Sequence, residues 1–98
     1  MKRILEISYQ EPFKIVCSFN NGEQRLLDLQ YALNPKQKYT QKILNNKTFK
    51  KAKIGVFGEI YWEGIAEMKD LEGNTIPCEY DISPDFAYIK SMALEKEY

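Results

Sequence analysis

The chain has 98 residues, no histidine, two cysteines, and 14 basic side chains against 14 acidic ones. That length predicts one domain with a single core that needs no metal or disulfide staple. Without histidine there is no ordinary general base near neutral pH, no His-containing triad and no His-ligated zinc site. The 44% hydrophobic content is that of a folded domain, and no apolar run approaches the ~20 residues that span a bilayer.

Residues 3–9, RILEISY, predict a first strand with Leu5, Ile7 and Tyr9 in alternation. The apolar stretch is short and broken by Glu6, so it reads as a strand and not as a signal peptide. Gln10-Glu11-Pro12 leads into residues 13–29, FKIVCSFNNGEQRLLDL, which carry the plainest hairpin pattern in the chain. Phe13, Ile15, Cys17 and Phe19 share one face, and Lys14, Val16 and Ser18 the other. Asn21-Gly22 supplies two residues that tolerate positive φ, as a type I′ turn requires. Arg25, Leu27 and Leu29 then alternate against Gln24, Leu26 and Asp28 on the return strand. The result is a β-meander over residues 3–29.

A helical link follows over residues 30–52. Gln30 to Leu33 predict a helical turn that Asn34-Pro35 stops, because the residue before proline is pushed out of the α region. Residues 40–46 predict a short helix with Thr40 as N-cap and Ile43-Leu44 facing inward. A turn at residues 48–52 would bury Phe49 and Ala52. Strand character returns at 53–57 and 59–62, interrupted by Gly58 as a bulge or a tight hairpin. It continues through Ile65 to Met68, turns at residues 71–74, and closes in a last strand at 75–80, where Pro77 suits a sheet edge. Ser83 as N-cap, Pro84 at the first helical position and Asp85 in the first turn predict a final helix over 84–95. Phe86, Ile89 and Ala93 would form its docking face, and residues 95–98 would fray. The expected architecture is a single α+β domain over residues 1–98: an antiparallel meander of about five strands, with short helices at one side and a C-terminal helix.

The charges are strongly segregated along the chain. Residues 29–58 carry seven lysines and no acid, whereas residues 59–98 carry three lysines and ten acids. Tyr31, Tyr39, Phe49 and Phe57 are interleaved with the lysines, a composition that single-stranded nucleic acid can use. The structural alternative has the lysines coating short helices while the aromatics fill the core. The segment has no arginine, the better group for bidentate phosphate or base contacts. A third reading is a basic surface that meets an acidic partner, or the acidic half of a second copy. Lys50, Lys51 and Lys53 are the candidate basic contacts. Tyr61 and Trp62 join them because adjacent strand residues point to opposite faces, so one ring is expected outside the core as a partner anchor.

No catalytic constellation emerges. Glu59, Glu63 and Glu67 would align on a helix, but Ile60-Tyr61-Trp62 favours a strand. Glu79 and Asp81 could share a strand face for acid–base work, yet they read more simply as solvated charge. Cys17 and Cys78 lie far apart, have no identifiable activating base, and read as two reduced thiols of a cytoplasmic protein. Two thiolates are half the number an all-cysteine zinc site needs. The expectation is a protein that is not an enzyme and uses no cofactor and no metal.

Phe19, Asn21, Gly22, Glu23, Arg25, Asp28 and Leu29, the pattern F-x-N-G-E-x-R-x-x-D-L, are followed by Phe49, Trp62, Gly64 and the closing Asp81-Ile82-Ser83-Pro84-Asp85. In that order these residues resemble the small bacterial domain-of-unknown-function family twenty-four forty-two. The chain departs from that pattern by having one residue, Glu63, between Trp62 and Gly64, and by a hairpin-sized insertion over residues 65–80. The resemblance implies a small α+β fold without established catalytic residues. It also implies frequent encoding beside another small protein, an arrangement reminiscent of toxin–antitoxin pairs. Some members of the family carry a helix-turn-helix, and none is legible here. Together these readings lead to a bacterial interaction domain binding a small protein partner, with edge strands that could support pairing with a second copy. The alternative is a nucleic-acid-binding accessory domain using residues 36–53, and no membrane association is expected.

Overall fold

A computed structural model describes residues 1–94; the fraying expected for 95–98 falls outside the described residues. The fold is α+β, with seven strands in two antiparallel sheets among the described residues. The first sheet has the order β1 (Ile4–Gln10), β2 (Lys14–Phe19), β3 (Gln24–Asp28), β7 (Met92–Ala93). The second has the order β4 (Lys53–Ile54), β5 (Ile60–Lys69), β6 (Thr75–Ile82). Helices α1 (Leu29–Ala32) and α2 (Lys38–Ile43) and a 3-10 turn (Phe49–Lys51) link the sheets, and α3 (Pro84–Lys90) precedes β7.

The meander forms as its alternation predicts. Ile15, Cys17, Phe19, Leu27 and Leu29 are all buried, in the register Ile15↔Leu27 and Cys17↔Arg25. The turn differs in type from the one expected. Gly22 has φ +89°, while Gly22 N–H donates to Phe19 O at 3.0 Å and Phe19 N–H to Glu23 O at 2.9 Å. Asn20 and Asn21 therefore sit in an ordinary turn, and the glycine alone takes the left-handed position of a bulged three-residue hairpin. A second bulge lies in β1, where Ile4 pairs with Phe19 and Glu6 already pairs with Ser18. The extra residue, Leu5, is turned outward at 58% exposure, and Ile4 takes the core position expected of it.

Three helical details differ from expectation. Helix α2 begins at Lys38, with Gln37 at the cap position, so Thr40 is an interior residue and fully buried. Helix α3 opens as predicted, with Phe86 N–H donating to Ser83 Oγ at 3.1 Å and Pro84 in the first turn. It stops at Lys90, however, because the chain then extends to pair β7 with β3, Leu26↔Met92 and Arg25↔Ala93. Its inward residue is Ala87, whereas Ile89 is exposed and Ala93 lies on the strand. The expected face of Phe86, Ile89 and Ala93 thus does not form: a short helix held close to the sheet accommodates a methyl at the contact and turns the larger groups out.

Gly58 resolves the interruption before β5 as the end of a tight connection, with φ +77° and its carbonyl accepting from Ile4 N–H at 3.1 Å. That bond ties the second sheet to β1. Pro77 lies on β6, an edge strand, where its missing N–H costs no ladder bond. One contiguous core runs from Ile4 and Phe19 through Phe49 to Trp62 and Ile82.

Candidate functional site

The 3-10 turn carries Lys50 and Lys51 outward because Phe49 is fully buried beneath them. Phe49 is held by edge-on contacts with the rings of Tyr9 (5.7 Å) and Phe13 (5.3 Å). Ala52 follows, with its carbonyl accepting from the Tyr9 hydroxyl at 2.8 Å, and the chain enters β4 at Lys53. Lys53 stands directly opposite Tyr61 on β5, and directly opposed residues project to the same face. Of the five residues singled out in the sequence, the three lysines therefore meet at one place, and the half-buried Tyr61 shares a sheet face with Lys53. Lys50, Lys51 and Lys53, with Ala52 and Glu63, line a shallow depression of about 500 Å³.

Trp62 is the exception. It is 1% exposed, and its Nε1–H donates to the Phe49 carbonyl at 3.3 Å. The indole is a core group, and adjacency on the strand sends Tyr61 to the other face. A partner can reach Tyr61 but not Trp62.

The electrostatics of this face are mixed. Lys50 pairs with Glu11 at 2.9 Å and Lys53 with Glu63 at 3.4 Å. Both pairs are well exposed and contribute little to stability. Asp81 stands opposite Tyr61 on the remaining strand. All seven lysines of residues 29–58 are exposed, spread over α2, the turns and β4. Of the aromatics interleaved with the lysines, Phe49 is in the core and Tyr39 is half-buried, whereas Tyr31 and Phe57 are exposed.

The residues Glu23, Arg25, Asp28 and Ser83 of the sequence motif are structural. Asp28 caps α1, its Oδ1 accepting from Gln30 N–H at 3.1 Å, and Arg25 binds Ser91 across the sheet. An apolar depression of about 430 Å³ lies between Leu26, Tyr31, Ile89 and Met92, flanked by Lys14 and Lys90. Sequence reasoning missed it because it assigned the residues after Lys90 to a helix. The alternation of Leu26 with buried Leu27 was the available signal.

The cysteines are not joined. Burial pushes the Cys17 thiol up to about 12, so the buried sulfur stays protonated and unreactive at neutral pH. Among the described residues no group of three or more cysteines or carboxylates is arranged to hold a metal ion, and no helix is long and apolar enough to cross a membrane. No known family model, curated protein or solved structure matches this chain.

Proposed function

We propose that this chain is a non-enzymatic interaction domain that binds an acidic surface of a small protein partner through Lys50, Lys51, Lys53 and Tyr61. The observation that carries the reading is the meeting of Lys50, Lys51 and Lys53 at one depression, with Tyr61 on the same sheet face as Lys53. Lysines supply long-range attraction and orientation. A half-exposed tyrosine supplies apolar area with few rotamers to immobilise. The composition supports the non-enzymatic half of the reading, since the chain has no histidine and its Cys17 thiol is buried. The ordered motifs from Phe19 to Asp85 support placing the chain among small bacterial accessory domains of the cytoplasm, with an antitoxin-like role toward a protein encoded beside it.

The test is co-expression with the product of the adjacent gene, followed by size-exclusion chromatography with light scattering. A co-eluting complex is expected, lost in the Lys50→Glu/Lys51→Glu double variant and weakened by Tyr61→Ala. Separate elution of the two proteins overturns the reading. A labelled single-stranded oligonucleotide serves as the control. Anisotropy that rises on binding and falls steeply with added salt would assign the lysines to nucleic acid instead.

A further inference from the structure

The hairpin of β5 and β6 extends past the core. Its paired register runs Ala66↔Cys78, Glu67↔Pro77, Met68↔Ile76 and Lys69↔Thr75 beyond a bulge at residues 63–65, where Gly64 has φ +69°. The molecule is 58 Å long against 27 and 19 Å in its other directions. Its radius of gyration, 14.3 Å, exceeds the ~13 Å of a compact chain of about this length.

This arm has two unlike faces. On β6, Ile82 is buried and Tyr80 lies 6.2 Å from Trp62, ring to ring. Cys78 and Ile76 continue the same face outward, because strand side chains repeat every second residue. Their partners Ala66 and Met68 project to that face too. The core-side apolar stripe therefore continues onto the arm without a cover, with Met68 54% and Ile76 39% exposed. Leu71 at the tip is fully exposed. The opposite face carries Glu67, Lys69 and Glu79, and the tip carries Asp70 and Glu72. Asp70 is used internally, its Oδ1 accepting from Glu72 N–H (2.9 Å) and Asn74 N–H (2.8 Å), which leaves the Glu72 carboxylate as the outward charge. At the root of the arm lies α2, which packs against β5. There Lys42 Nζ lies 3.5 Å from the Ile65 carbonyl, and Lys38 is one turn away on the helix.

We propose that the arm is a self-association device: two copies lay their arms antiparallel, apolar face on apolar face, each acidic tip against the α2 lysines of the other. Area and charge together select this occupant. A two-stranded ribbon about 10 Å wide and about 20 Å long covers far less than the ~800 Å² per partner of a standard interface. Met68, Ile76, Ala66 and Cys78 thus supply only part of what a stable contact requires. Antiparallel stacking adds two charged contacts to the apolar overlap, because the two-fold axis brings each tip to the other root, where acid meets base twice. The inference goes beyond the partner-binding reading and uses a different surface, so either can fail without the other.

The test is sedimentation velocity of the full chain in reducing buffer over a concentration series in the micromolar range. The expected result is a concentration-dependent shift from monomer to dimer, abolished by Met68→Glu or by Ile76→Glu. Both side chains are exposed, so an unchanged circular dichroism spectrum and melting temperature are expected of these variants. Charge swapping then tests the geometry. Lys38→Glu/Lys42→Glu chains and Glu72→Lys chains should each dimerise at least tenfold more weakly than the parent, and their equimolar mixture should recover a heterodimer. A chain that stays monomeric throughout overturns the proposal and leaves the arm to a partner of different sequence. A dimer indifferent to Met68→Glu and Ile76→Glu, or a mixture without recovery, also overturns it.

Discussion

Arg25 lies over the ring of Tyr88, its guanidinium carbon 4.1 Å from the ring centroid. The same guanidinium donates from Nε to the Ser91 hydroxyl at 2.9 Å and from Nη2 to the Ser91 carbonyl at 2.8 Å. Ser91 Oγ in turn donates to the Tyr88 carbonyl at 3.0 Å. One side chain on β3 thereby fastens α3 and orients the chain as it leaves the helix for β7. Tyr88 also meets Phe19 edge-on at 5.2 Å, so the contact extends into the core of the meander.

Replacing Arg25 by alanine removes two hydrogen bonds to Ser91, the 3.5 Å contact with Glu23 and the stacked cation, and should cost about 2–3 kcal/mol, measured by urea unfolding. Arg25→Lys should recover less than half of this, because an ammonium cannot present the planar fork. Hydrogen exchange at Met92 and Leu94 should accelerate in both variants before global unfolding does.

Glu23 and Cys17 contribute to the pH dependence with opposite sign. Hydrogen bonding from the Tyr88 phenol, aided by Asn21 and Arg25, holds the Glu23 carboxyl below its usual range. Its contribution is present above the unfolded carboxylate value and is lost as pH falls through the lower folded value. Cys17 behaves in reverse. Its folded value of about 12 lies above that of an exposed thiol, so the fold holds a proton the unfolded chain releases. Stability should therefore decline as pH rises from the free-thiol range toward 12, and Cys17→Ala should flatten this alkaline limb. In native protein at pH 8, a thiol reagent should modify Cys78 and leave Cys17 until denaturant is added.

Gly58 and Gly22 both have positive φ but differ in surroundings. A Cβ at Gly58 would lie 2.7 Å from Arg3 Cβ and 2.8 Å from Arg3 Cα, whereas nothing lies within 4 Å of one at Gly22. Gly22→Ala should cost about 1 kcal/mol, from backbone strain alone. Gly58→Ala adds a clash with β1 backbone and should cost about 2 kcal/mol or more. Thermal melts of the two variants check the order.

Thr40 is fully buried, and among the described residues its hydroxyl has no hydrogen-bond partner. Thr40→Val keeps the branched shape and removes the unsatisfied group, so it should stabilise the fold by about 1 kcal/mol. A rise in the urea midpoint with unchanged slope would show this, and a fall would refute it.

Local patterns determined a good deal of this protein. The alternation of Ile15, Cys17 and Phe19 specified a strand and its buried face, because a period of two leaves one choice of side. Ser83 announced the helix start it caps, since a short polar side chain beside free N–H groups acts within three residues. Phe49 with Ala52 marked the buried side of the turn that presents Lys50 and Lys51. Each of these is decided by neighbours in the chain.

Tertiary structure decided the remainder, because the deciding partner lies far away in sequence. The bulge that exchanges Ile4 for Leu5 forms against Phe19. The end of α3 at Lys90 follows from the open edge of β3 and from Arg25, 66 residues before Ser91. Tyr61 and Trp62 are equally aromatic in sequence; only the position of the Phe49 carbonyl and the sheet's core side sends the indole inward and leaves the phenol beside Lys53. The apolar face of the arm alternates like any half-buried strand. Burial is a property of what lies opposite, and beyond Ile65 the core ends before the strands do.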